Sequence, residues 1–386
     1  MKNIITVLPL FLSSQDKESR ERKMSQIKRF FECLVPVTAC NIKCSYCYII
    51  QRNHRCMEIP KLKYSIQQIG KALSVQRLGG VCYFSICGAG ETLLADQIIE
   101  LVEELLKQGY FVNITTNGTL TKQFNRISNF NKEYRDRLHI AFSFHYLELI
   151  RIKKLQTFFD NVKLMKDSGI SFLVQLNLCD EYEPYLEEIK ECCKKNIGAY
   201  PQVAATRKEY NLNQHIELLT EHTKEEYINM GNTFNSPLFE FTMKNFNVKR
   251  SEFCYAGDWS GVLNLQTGIL RKCYSDNGGQ NIFDNPEKPV KWEAIGKCGS
   301  LFCMNSSHFM SLGIIPECYE NITYAGLRNR EEAGWYTLDV LKALNGKLSE
   351  TNDIYTNRRK NIILARATIH SCCKNVKKYI KGLIKK

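Results

Sequence analysis

Between residues 30 and 205 short apolar runs alternate with amphipathic stretches at helical spacing. The runs Phe31–Val37, Val81–Ile86, Phe111–Thr115, Leu138–Phe144, Phe172–Leu178 and Gln202–Ala205 are short, rich in β-branched and aromatic residues, and bounded by turn residues, so they predict strands. Between them, Ser65–Leu78, Leu94–Gln108, Leu147–Asp167 and Glu183–Lys195 repeat apolar residues every three or four positions and predict helices. Strand and helix in regular alternation imply parallel strands joined by crossover helices. Six such units are too few to close an eight-stranded barrel. The expected fold is therefore α/β, a partial (β/α)6 TIM-like barrel with a lateral opening, and its chemistry belongs at the C-terminal strand ends.

The pattern changes on either side of this core. Residues 1–29 predict an N-terminal arm, 30–210 the core, and 211–250 a polar helical bridge broken at Pro237. Residues 251–320 hold cysteines among Gly and turn residues and predict a small C-terminal domain; 321–386 predict terminal helices ending in a basic tail. No internal repeat is visible.

Immediately after the first apolar run comes Cys40-Asn41-Ile42-Lys43-Cys44-Ser45-Tyr46-Cys47. Thiolates are soft ligands, and three of them at this spacing suit an iron–sulfur cluster whose fourth iron stays open. A zinc knuckle is the competing reading, but zinc sites usually close with a fourth ligand near by. The spacing, with Tyr46 before the last cysteine, resembles the signature of the radical S-adenosylmethionine (SAM) superfamily. The resemblance covers residues 30 to 350. It implies that Cys40, Cys44 and Cys47 bind a catalytic [4Fe–4S] cluster, with Tyr46 beside the cofactor. It also implies a reduced flavodoxin- or ferredoxin-type electron donor.

Further strand ends extend the resemblance. Gly88-Ala89-Gly90-Glu91-Thr92 follows the second strand and is similar to the family's Gly-Gly-Glu-Pro segment, which meets the SAM amino group. Thr92 stands where proline is usual. Small residues there admit close backbone approach, and the acid can receive a cation. Asn117, in Thr115-Thr116-Asn117-Gly118, is implied as a ribose contact, and Ser143 as a contact to the SAM carboxylate or ribose. His145 is a weak catalytic candidate beside the substrate. Gln175 and Asn177 are polar residues in an apolar run, and alternation puts them on one face.

A second set of cysteines begins at Cys254, continues with Gly268 and Cys273, and adds Cys298 and Cys303. Val262–Leu270 reads as a hairpin turning at Thr267-Gly268, which brings Cys254 and Cys273 together. The spacing resembles the opening of the SPASM and twitch auxiliary domains appended to many radical SAM proteins. The longer seven-cysteine pattern is missing, so the resemblance implies a twitch-like domain with one auxiliary [4Fe–4S] cluster; a structural zinc site is the alternative. Cys318 is a spare ligand. Asp258 is a weak candidate acid or base near this cluster.

The stretches Glu252–Ser260 and His308–Glu317 resemble a bacterial branch of the superfamily that accompanies glycan or cell-surface biosynthesis. A carbohydrate or nucleotide-sugar is therefore the favoured substrate class, and a ribosomal peptide or protein the alternative. Peptide maturases often carry an N-terminal peptide-binding segment, and the stretch before residue 30 is short for one.

Composition adjusts this picture in three places. Seventeen cysteines in a 386-residue, enzyme-like chain point to a reducing compartment and a cytoplasmic protein. The run Ile4–Leu12 lacks a small-residue cleavage site and predicts a strand or arm, and no apolar stretch is long enough for a membrane span. Of the net charge of +13, ten come from Asn357–Lys386, which carries no acid. Val376–Lys386 spaces apolar residues among lysines and predicts a basic amphipathic helix, either solvated or docked on an anionic membrane or acidic partner. No nucleic-acid recognition motif accompanies the charge. A non-enzymatic iron–sulfur or zinc-binding protein is the reading from a different class.

Overall fold

The computed structural model describes residues 26–208, 216–318 and 321–367. The Ile4–Leu12 run and the basic amphipathic stretch from Val376 lie outside the described residues.

Six parallel strands form the core: β1 (Arg29–Val35), β2 (Cys82–Gly88), β3 (Phe111–Thr116), β4 (Leu138–Phe144), β5 (Ser171–Leu178) and β6 (Gln202–Ala205). β7 (Arg207–Lys208) and β8 (Glu217–Leu218) make a small antiparallel pair. β9 (Ser260–Asn264), β10 (Ile269–Arg271) and β11 (Gln280–Asn281) belong to the main sheet, whose order is β11-β10-β9-β1-β2-β3-β4-β5-β6. β6 and β11 are the edges, so the core is an open, partial TIM-like barrel. The predicted hairpin is present as β9–β10, with Gly268 at φ +69° in its turn. It is not set apart from the core. β9 runs parallel to β1, pairing Phe30 with Ser260 through Leu34 with Asn264.

Alternation sorts the strand residues onto two faces. Phe31 and Phe84 stack at 5.0 Å on the outer face, where Tyr110 packs edge-on against Phe84. The inner face carries Glu32, Ser85, Asn113 and His139, all buried. Aromatic rings plug its lower end: Phe30 lies 5.6 Å from Tyr83, and Tyr83 lies 5.6 Å from Tyr324. The upper end, toward the cysteine loop, stays hollow.

The helices differ from expectation in their breaks. Ser65–Leu78 is two helices, Ile66–Ala72 and Val75–Leu78. Leu147–Asp167 is likewise Tyr146–Arg151 and Leu155–Asp167, separated where Lys153 adopts φ +56°. A left-handed residue ends a helix, and residue pattern alone does not reveal it. Pro237 does not break the bridge: it is the first residue of the helix Pro237–Lys244, where its missing N–H costs nothing. Among the described residues no helix is long and apolar enough to cross a membrane.

Candidate functional site

The cysteine loop leaves β1 at its C-terminal end and is clamped to the end of β2. Gly90 N–H donates to Val37 O at 2.7 Å, and Glu91 N–H to Ala39 O at 2.8 Å. The approach requires glycine, because a Cβ on Gly90 would stand 2.0 Å from the Ala39 carbonyl oxygen. A cavity of about 350 Å³ opens above this clamp. Cys40, Cys44 and Cys47 line it, together with Tyr46, Gly88, Ala89, Gly90, Glu91, Asn117, Ser143 and His145. The structure thus brings the three loop thiols together with the residues predicted at the ends of β2, β3 and β4. Gln175 and Asn177 also line it, on one face as alternation requires.

Hydrogen bonds give several of these residues structural tasks. The buried Glu91 carboxylate accepts from Leu93 N–H (3.0 Å), Thr116 Oγ1 (2.7 Å) and Asn117 N–H (2.7 Å), tying the end of β2 to that of β3. Burial pushes its pKa up, against those donors. The Asn117 side chain turns to the cysteine loop: Nδ2 donates to Asn41 Oδ1 at 2.7 Å and lies 3.7 Å from Cys40 Sγ. The Tyr46 hydroxyl contacts His145 Nδ1 at 2.7 Å and the Tyr182 hydroxyl at 3.1 Å. Burial holds His145 down at about 4, so the ring is neutral near pH 7 and its Nδ1 can accept the phenol proton. Burial also raises the Cys40 and Cys44 thiols; bound iron would oppose this, since metal coordination deprotonates a thiol.

The second cysteine set also converges. Cys254, Cys273, Cys298 and Cys303 line one small, mostly apolar cavity with Phe302, Phe309 and Ile315. Burial, with the neighbouring thiols adding to it, raises Cys254 well above the ordinary thiol value, and Cys303 is pushed up to about 12. Cys318 lies outside this cavity, and its thiol donates to Glu252 at 3.2 Å. Among the described residues no three His, Cys, Asp or Glu side chains close on a point fit for a single metal ion. The first thiol set borders a hollow of about 350 Å³ and the second one of about 20 Å³.

Asp258 sits elsewhere. Its carboxylate lies 3.6 Å from Arg29 and bonds the Tyr355 hydroxyl, at the N-terminal end of β1 and away from both cavities. Asp258, read from the sequence as a weak candidate acid or base near the second cysteines, thus forms an ion pair with Arg29 and lines neither cavity.

Three residues of the first cavity were invisible to motif reading: Cys87, Arg55 and Arg207. The inward phase of β2 was the available signal for Cys87. Arg55 bonds the Cys40 carbonyl, a contact that spacing does not reveal.

Residues 34–193 match the family model described as Radical SAM superfamily. No curated protein matches the chain. Among solved structures, Streptococcus suis SuiB is similar at 13% identity over 73% of this chain and 74% of that one, with a TM-score of 0.47. SuiB bound to precursor peptide SuiA aligns at 15% identity over 75% and 72%, TM-score 0.43. Histidine-tagged anSMEcpe with bound AdoMet aligns at 16% identity over 68% and 77%, TM-score 0.46.

Proposed function

We propose that the protein, whose residues 34–193 match the radical SAM superfamily model, is an enzyme whose Cys40, Cys44 and Cys47 hold three irons of a [4Fe–4S] cluster, leaving the fourth for SAM. The observation that carries this reading is the common cavity of about 350 Å³ lined by those thiols and by Gly88–Glu91. With SAM bound, the chemistry such a cluster supplies is one-electron cleavage of the sulfonium carbon–sulfur bond, giving a 5′-deoxyadenosyl radical that takes a hydrogen atom from substrate.

The chain's own residues prepare this chemistry. Gly90 lets the β2 end close on the cysteine loop. Asn117 Nδ2–H points its dipole at Cys40 Sγ, where a thiolate gains from a donor. Gly88 and Ala89 leave room at the cavity wall for the methionine moiety, and Ser143 offers a hydroxyl opposite. Tyr46 and His145, bonded to each other, set the cavity wall next to the third cysteine. Cys254, Cys273, Cys298 and Cys303 hold a second, fully ligated [4Fe–4S] cluster in this reading, supported by their shared apolar cavity. That cluster would accept or relay an electron; the first is fed by a reduced flavodoxin- or ferredoxin-type donor.

Anaerobic reconstitution tests the proposal. About eight irons per chain are expected from two such clusters, with 5′-deoxyadenosine formed from SAM under reduction. Replacing Cys40, Cys44 and Cys47 together by Ala should halve the iron and abolish cleavage. One or two zinc ions per chain without SAM cleavage would overturn it in favour of a metal-binding interaction protein.

A further inference from the structure

A second chamber, of about 310 Å³, lies between the two thiol-lined cavities. It shares Gln175, Asn177, Ala205 and Arg207 with the first cavity, and Phe302, Cys303 and Met304 with the second. The segment around Ser306–Phe309 and the helix Tyr324–Arg328 wall it on the open side of the barrel. A molecule seated here would touch the site of hydrogen abstraction on one side and the second cysteine set on the other.

The wall has a definite chemical character. Among the described residues it contains no Asp or Glu, while Arg207 and Arg328 contribute two cations. Arg328 is 2% exposed and stacks 3.8 Å from the Tyr324 ring centroid. Its hydrogen bonds go to Ser307 O (3.3 Å), Ser307 Oγ (3.2 Å) and Tyr324 O (3.5 Å), none of them a carboxylate. Glu32 interacts with this guanidinium without bonding it, and a buried guanidinium that no carboxylate bonds directly gains from a bound anion. Glu32, behind the wall, lies 3.7 Å from His308 and accepts from Tyr274 at 3.2 Å. Burial lifts its carboxyl to about 7, so it supplies only part of a counter-charge at neutral pH. Burial also keeps His308 neutral.

Asn305 is 8% exposed, lines the chamber, and sets its side chain toward the Glu32 carboxyl. The amides of Gln175 and Asn177 complete a surface able both to donate to and accept from hydroxyl groups.

Resting on the radical SAM reading, we propose that this chamber is the substrate site and takes a small polyhydroxylated anion, a sugar phosphate or sugar acid, whose acidic group is held by Arg328 with Asn305 beside it. The chamber's size favours a hexose-sized anion over a folded or extended peptide.

The test is calorimetric titration of anaerobically reconstituted protein with SAM bound. The probes are glucose 1-phosphate, mannose 1-phosphate and glucuronate, set against glucose, mannose, inorganic phosphate and a short Asp-containing peptide. At least one sugar anion should bind tenfold or more tightly than its neutral sugar and than phosphate alone; which anion wins tells phosphate from carboxylate recognition. Arg328→Gln should erase that preference. Should R328Q fail to fold, Asn305→Asp puts a carboxylate into the chamber and should weaken sugar-anion binding at least tenfold. Equal binding of neutral and anionic sugars, phosphate binding as tightly as the sugar phosphates, tight binding of the peptide alone, or a preference that survives the folded variant would each overturn the inference. SAM cleavage is measured in the same preparation without ligand. Cleavage without anion preference defeats only this inference, and anion preference without cleavage defeats only the radical SAM reading.

Discussion

The Tyr46 hydroxyl lies 2.7 Å from Nδ1 of His145, joining the residue before the third loop cysteine to the residue that follows β4. Tyr46 is buried and His145 half-buried, and the phenol also meets Tyr182. Removing the hydroxyl leaves two polar atoms short of a partner. Tyr46→Phe is expected to lower unfolding free energy by about 1–3 kcal/mol, the usual cost of an unsatisfied buried group. Urea denaturation reads it, and an unchanged midpoint and slope would mean the bond contributes nothing.

Asn117 stands behind Cys40. Its replacement by Leu deletes the N–H directed at the sulfur and the bond to Asn41. Loss of comparable outer partners weakens metal binding by roughly 10- to 100-fold. Iron release to a chelator, followed by absorbance in the reconstituted protein, should accelerate by about that order. Release at the wild-type rate would separate Asn117 from the cluster.

Gly90→Ala places a methyl group 2.0 Å from the Ala39 carbonyl. Overpacking of this kind costs about 1–3 kcal/mol, and the backbone of the cysteine loop has to absorb it. The expected outcome is loss of iron from the first site with iron retained at Cys254, Cys273, Cys298 and Cys303. Full iron and wild-type SAM cleavage would show that the clamp is dispensable.

Glu32 links stability to pH. Its folded pKa of about 7 exceeds the ordinary carboxyl value of 4.5, so the folded state holds a proton that the unfolded chain releases. Its contribution is complete below about 4.5 and is lost as pH rises through about 7. His145, depressed to about 4 from 6.5, acts in the opposite direction: its contribution is complete above about 6.5 and is lost as pH falls toward 4. Glu32→Gln removes the first effect alone. The variant should gain on the wild type between pH 5 and 8, by up to about 3 kcal/mol. A pH-independent difference in thermal unfolding would refute the assignment.

Asp258 provides the control. Its pair with Arg29 is largely buried, and breaking such a pair costs about 3–5 kcal/mol. Asp258→Asn should destabilise the protein by an amount of that order while the rate of 5′-deoxyadenosine formation stays at the wild-type value. A slowed rate in the folded variant would return Asp258 to the list of acids and bases.

How much of this was legible in the chain depends on what kind of signal each part left. Strand–helix alternation marked all six core strands within a few residues, since apolar runs and helical periodicity are local. Cys40–Cys47 and Gly88–Glu91 were equally visible, because spacing and small residues are written in sequence. The contacts of Asn117 were not: its amide meets Asn41 and Cys40 across 76 and 77 residues of chain. Those of Asp258 were no more visible, since its partners Arg29 and Tyr355 lie far away in the chain. The chamber between the thiol sets left no motif at all. It exists only because segments beyond residue 300 fill the gap that six strands leave open.

The pairing of β9 along β1 has a bearing on how the molecule matures. The strand that launches the cysteine loop has one edge satisfied early in synthesis, by β2, and its other edge only after residues 260–264 have been made. Until then β1 is an exposed edge, open to wrong partners. The first thiol set thus acquires its final footing in the same event that brings Cys254 and Cys273 into place. Metal loading at the two sites is expected to be coupled through folding order, and a chain cut before residue 250 would carry the signature loop without the ladder that steadies it.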